Sequence, residues 1–195
     1  IYELGHGFHG HCLNNQTAMN AQYPMPIAET ASTFCETIVK KAALKKASKA
    51  EQLMILENEL SDCAQVIVDI YSRFLFESRF FKKREEGPLS VDEIKELMVN
   101  AQKEAYGHGL DHDILHPYMW TWKPHYYEAD YAFYNFPYAF GLLLAKGLYG
   151  MYLKEGDSFS KTYERFLSLT GKMNLEDVGH SVGIDLTSED FWQNS

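Results

Sequence analysis

Apolar residues recur at three- and four-residue spacing along most of the chain, the period of a helix that buries one face. The longest such run extends from Ala50 to about Lys83, where Leu53, Leu56, Leu60, Val66, Ile70 and Phe74 mark the stripe of one long amphipathic helix. The aromatic residues near its end, Tyr71, Phe74, Phe76, Phe80 and Phe81, are expected to pack in a core. Lys82-Lys83-Arg84 followed by Glu85-Glu86-Gly87-Pro88 closes that helix in a charged turn. Ser90-Val91-Asp92-Glu93 has the form of a capping box and opens another helix to about Tyr106. Upstream, an opening helix loses its regularity at Gly10, and Asn14 to Pro26 reads as a loop. A second helix begins near Ile27, because proline is tolerated in a first turn and not inside. It continues through Ala28 to Glu36 and has an exposed, Lys- and Ala-rich end over residues 38–47. Gly107 to Pro117 reads as a loop. Leu142 to Leu153, Phe159 to Leu169, a short segment from Asn174 to Gly179, and Ser188 to Trp192 supply the remaining helices. The expected fold class is therefore all-α, with residues 1–195 as a single helical domain.

Composition narrows the function classes. With 195 residues and 46% hydrophobic content, the chain is long enough to bury a substantial core. A net charge of −9 disfavours nucleic acid as a partner, since neutralising phosphates takes clustered Lys and Arg. No apolar run is long enough to span a bilayer, so no membrane partner is expected. Cys12, Cys35 and Cys63 form no Cys-x-x-Cys pair and read as reduced thiols of a cytoplasmic protein. The first residues already belong to a helix, with nothing ahead to cap it, so the chain reads as a piece of a longer protein.

The chemistry concentrates at the start. Tyr2-Glu3-Leu4-Gly5-His6 is the zinc-peptidase helix pattern His-Glu-x-x-His with its first histidine replaced by tyrosine. The pattern works because positions i and i+4 share a helix face, so two imidazoles reach one metal while the intervening carboxylate faces the bound water. Glu29 follows His6 across one loop, on a helix placed to return alongside the first, and is the candidate third ligand. Glu36, on the same face as Glu29, is a candidate acceptor for a ligand imidazole. An ordinary acidic first turn would also account for Glu29 taken alone. His9 and His11 are weaker candidate ligands. His108, His112 and His116 are spaced like a metal comb, but the flanking Gly107, Gly109 and Pro117 argue for a loop. His125 and the tyrosine-rich stretch Tyr131 to Tyr138 could donate hydrogen bonds to an oxyanion, or could simply pack.

Glu-Leu-Gly-His-Gly-Phe-His, with Pro-Ile-Ala-Glu-Thr-Ala-Ser-Thr-Phe-Cys-Glu further on, resembles the oligoendopeptidase F family, relatives of thimet oligopeptidase and neurolysin. The likeness runs to the C-terminus. It implies the helical catalytic portion of a zincin-type enzyme without its N-terminal lobe, which would be a partner within the same protein. It also implies zinc as cofactor and short peptides as substrates. By the resemblance His6 and Glu29 are metal ligands, Glu3 is the general base, and Glu36 is the supporting carboxylate. His125 with Tyr134 and Tyr138, or Tyr131 in place of one of them, would stabilise the oxyanion. The chain departs from the family at Tyr2, where the first ligand would stand. That departure leaves open a catalytically dead peptide-binding relative, and a plain helical interaction module in which the pattern is accidental.

Overall fold

The computed structural model describes residues 1–195 as helices and turns with no strand. In chain order the helices are α1 (Tyr2–Leu13), α2 (Thr30–Leu44), α3 (Lys49–Ala64), α4 (Ile70–Arg84), α5 (Val91–Tyr106), α6 (Phe136–Glu155), α7 (Phe159–Leu169), α8 (Leu175–His180) and α9 (Glu189–Gln193). Two compact units result, one from Ile1–Ile55 with Pro137–Ser195 and one from Leu56–Phe136.

The first unit is built on a core of Ile27, Ala31 and Phe34 with Leu144, Ala145 and Leu148 of α6. Phe159, Tyr163, Phe166 and Leu167 of α7, with Val178 and Ile184, complete it. Helical spacing puts the four α7 residues on one face, and each fully buried side chain of this size contributes about 1.5–3 kcal/mol. The opening helix does not break at Gly10 as expected but runs to Leu13. Gly5, His9 and Leu13 form its buried face, and that burial outweighs a cost of roughly 1 kcal/mol for each glycine inside a helix. His9 is fully buried and stacks on Tyr23 with ring centroids 3.9 Å apart. Thr170 donates its hydroxyl hydrogen to Leu167 O, so its Oγ1 is free to accept from His9 Nε2 at 2.8 Å. The second helix starts three residues later than expected. Met25–Ile27 form a 3-10 turn, Ala28 and Glu29 follow as a turn, and α2 begins at Thr30 with Glu29 as its N-cap residue. In turn, α6 begins at Phe136, six residues before the expected Leu142, with Pro137 in the first turn where it costs no hydrogen bond.

In the second unit the expected single long helix is interrupted. Between α3 and α4, Gln65–Asp69 form a π-helical turn, in which the N–H of Ile70 donates to Gln65 O. A π turn accommodates one extra residue, so the face that follows it is displaced by one position. Asp69 at the end of that turn and Ile70, Arg73, Phe76 and Glu77 of α4 are buried, so Ile70 of the apolar stripe is interior as expected, whereas Phe74 is not. Of the five aromatic residues expected in a core, Phe76 is buried and Phe80 packs against it. Tyr71, Phe74 and Phe81 stand about half exposed. Nothing in α3 is buried, and Leu53 and Leu60 are 69% and 71% exposed, so that part of the stripe is not a core face here. Phe76 packs with Met98 and Ala101 of α5. The capping box forms as expected: Ser90 Oγ accepts from Glu93 N–H at 3.3 Å, and Glu93 Oε2 accepts from Ser90 N–H at 2.8 Å. The hydrogen bond from the Ser90 N–H, with help from the ammonium of Lys83 and the Ser90 hydroxyl, holds the Glu93 carboxyl down near pKa 2.

Candidate active site

The first-unit residues meet at Glu29. Two glycines make this possible by letting backbones approach where a side chain could not fit. A Cβ on Gly5 would lie 2.5 Å from Ser32 Cα and 2.7 Å from Ala31 C, so only glycine lets α1 sit this close to the start of α2. A Cβ on Gly141 would lie 2.9 Å from Glu29 Cβ and 3.0 Å from Glu29 C, which brings α6 equally close from its own side. With that packing, His6 Nε2 is 3.5 Å from Glu29 Oε2. Positions 6 and 29 therefore lie side by side in this arrangement. The Tyr2 hydroxyl donates to the same Oε2 oxygen. Ser32 Oγ lies 2.8 Å from Glu29 O and 3.2 Å from Oε2, adding a third polar neighbour. Burial, followed by the hydrogen bond to Glu29, raises the pKa of the Tyr2 phenol well above that of an ordinary tyrosine. The charge of Glu29, and that of Tyr138 in the first turn of α6 when ionised, act in the same direction. Glu3 projects into solvent from α1. Glu36 lies two turns along α2 from Glu29 and pairs with Lys40 at 3.2 Å.

The second unit holds His125 in a 3-10 turn, Pro124–Tyr127. Its ring centroid is 4.4 Å from that of Tyr126 and 5.6 Å from that of Tyr134. Tyr131 meets Tyr134 edge-on at 5.4 Å. His125 Nε2 lies 2.8 Å from Asn135 Nδ2, and Asn135 Oδ1 accepts from Arg73 Nη1 at 3.1 Å. Arg73 is paired with Asp69, whose other oxygen accepts from the Tyr106 hydroxyl at 3.0 Å. Burial first, then the charges of Arg73 and Lys123, lowers the His125 pKa below the usual imidazole value. Burial likewise raises Glu77, partly offset by the Phe133 N–H, which Glu77 Oε1 accepts at 2.8 Å. Phe133 has φ +56°, a left-handed conformation rarely taken by a residue with a side chain, and that hydrogen bond holds it there. Asp69, Arg73, Glu77 and Asn135 were not found from the sequence. The available signal was three charged residues at i, i+4 and i+8 inside a helix otherwise read by its apolar stripe. In the loop before this turn, His112 Nε2 bonds to Gly107 O at 2.8 Å and His116 Nδ1 accepts from Tyr118 N–H at 3.2 Å.

A catalytic zinc takes three protein ligands and keeps one position for water or substrate. No three His, Cys, Asp or Glu side chains come together anywhere in the described chain. His6 and Glu29 are the two that meet here, and the third donor beside them is a protonated phenol already committed to the carboxylate. With a phenol as the third neighbour, this donor set does not supply the three ligands that a catalytic zinc takes.

The family model for peptidase family M3 matches residues 1–195, and the chain belongs to that family. It is 25% identical to the chromosomal oligoendopeptidase F of Lactococcus lactis subsp. cremoris, a match over all of this chain and 32% of that protein. It is also 25% identical to the group B oligopeptidase PepB of Streptococcus agalactiae, over 98% of this chain and 32% of the relative. The chain thus spans about a third of the length of the curated relatives it matches. Among solved structures, oligoendopeptidase-F from Enterococcus faecium superposes with a TM-score of 0.79 at 21% identity, covering all of this chain and 35% of that one, and supports the fold. No helix is long and apolar enough to cross a membrane.

Proposed function

We propose that this chain is the catalytic portion of an oligopeptidase acting on short peptides, in a form whose metal centre is impaired by Tyr2. The observation that carries the reading is the single point at Glu29 Oε2 where the Tyr2 phenol and the His6 imidazole meet. His6 and Glu29 are the two remaining zinc ligands, Glu3 is the base of the unimpaired site, and Glu36 supports it. His125, Tyr134 and Tyr138 are donors to the oxyanion. In the present form zinc binds weakly, short peptides are bound, and hydrolysis is slow or absent. The 3.5 Å between His6 and Glu29 supports this reading over an accidental pattern, which would become serious with the two side chains far apart.

Isothermal titration with zinc tests this on the chain and on Tyr2→His. The expected outcome is weak binding by the former and a gain of at least about 100-fold in affinity by the latter, as a third ligand completes the set. Equal nanomolar binding by both would overturn the impairment. No gain in Tyr2→His would overturn the ligand roles of His6 and Glu29.

A further inference from the structure

The buried polar face of α4 dictates the chemistry of His125 through a chain of hydrogen bonds with only one consistent assignment of protons. A guanidinium has donors and no acceptor. Because Arg73 Nη1 lies 3.1 Å from Asn135, the amide oxygen must face the arginine and the NH2 must face the other way. That NH2 is 2.8 Å from His125 Nε2. An amide NH2 only donates, so Nε2 must accept, and a nitrogen that accepts carries no proton. The one N–H of the neutral ring is then on Nδ1.

We infer that Arg73, acting through Asn135, holds His125 as the neutral Nδ1–H tautomer, which makes Arg73 and Asn135 positioning residues for the one hydrogen bond that His125 can donate. Asp69, Arg73 and Asn135 are each at most 8% exposed, so water does not substitute easily for any link. Asp69 holds the guanidinium in place and is itself held by Tyr106. Protonating Nε2 would set two donors against each other. The positive charges facing the ring, Arg73 and Lys123, oppose imidazolium further, and the rings of Tyr126 and Tyr134 beside it offer no compensating anion. The functional meaning rests on the oxyanion role proposed above for His125, but the tautomer does not.

Long-range proton–nitrogen correlation NMR on the 15N-labelled chain reads the tautomer directly. The expected spectrum has a protonated Nδ1 and an unprotonated Nε2 for His125 at neutral pH. Asn135→Asp replaces the donor with an acceptor of the same size. It should move the proton to Nε2 and raise the His125 pKa by about one unit or more. A wild-type spectrum with Nε2 protonated overturns the inference even if the variant fails to fold. So does a folded Asn135→Asp variant with tautomer and pKa unchanged. The oxyanion reading fails separately. In a Tyr2→His background that hydrolyses peptides, Asn135→Asp with a shifted tautomer and an unchanged kcat would sink the role of His125 while leaving the relay standing.

Discussion

Replacing Gly5 with alanine tests whether backbone contact between α1 and α2 assembles the Glu29 cluster. In an open helix position this substitution stabilises by about 1 kcal/mol, because alanine loses less conformational entropy than glycine. Gly7, where an added methyl would meet nothing within 4 Å, is such a position and serves as the control. At Gly5 the new methyl would stand 2.5 Å from Ser32 Cα and 2.7 Å from Ala31 C, against 3.4–4 Å for ordinary contact. Those neighbours are backbone atoms, so no side chain can turn away and the helix itself has to retreat by about 1 Å, an overpacking cost of roughly 1–3 kcal/mol or more. The propensity gain is common to both variants and cancels, so the Gly5→Ala chain should unfold about 1–3 kcal/mol more easily than Gly7→Ala. Urea denaturation followed by far-UV circular dichroism measures the difference. Equal stability of the two variants would refute the reasoning, since it would mean α1 tolerates displacement from α2.

Two further outcomes follow from buried groups. Burial first, and then the nearby His6 charge, lowers the His9 pKa to about 4. Between there and the ordinary value of about 6.5 the unfolded chain takes up a proton that the folded chain refuses, so stability is full above that window and falls by about 3 kcal/mol as pH drops through it. Urea midpoints across that range should show the loss, and His9→Gln, which keeps a donor for Thr170, should flatten it. Asp69→Asn strands the buried Arg73 guanidinium without its counter-charge and should cost about 3–5 kcal/mol. The fluorescence of Trp120 and Trp122 reports on that unit, and an unchanged midpoint would show the pair to be dispensable.

What the sequence made legible was what depends on local spacing. The placing of positions 2, 3 and 6 on one opening helix, the Ser90 capping box and the α7 stripe all follow from periods that a helix imposes. Three kinds of feature did not follow. The end of α1 depended on whether Gly10 or the burial of Leu13 would win, a matter of tertiary packing. The shifted face of α4 depends on a turn that leaves no compositional mark, so the apolar stripe alone places Phe74 in the core and gives no sign of Arg73. The bond between Arg73 and Asn135 joins residues 62 positions apart, and no local period relates them.

That π turn also bears on how this chain is aligned with its relatives. It acts as a one-residue insertion inside a continuous helix, so an ungapped comparison from Leu60 to Phe80 with a helix that lacks the turn would pair solvent-facing positions with interior ones. Losing or gaining a single residue there rotates everything downstream by about 100° around the helix axis. The guanidinium that orients Asn135 would then swing out of reach, with every side chain in that segment still the same type.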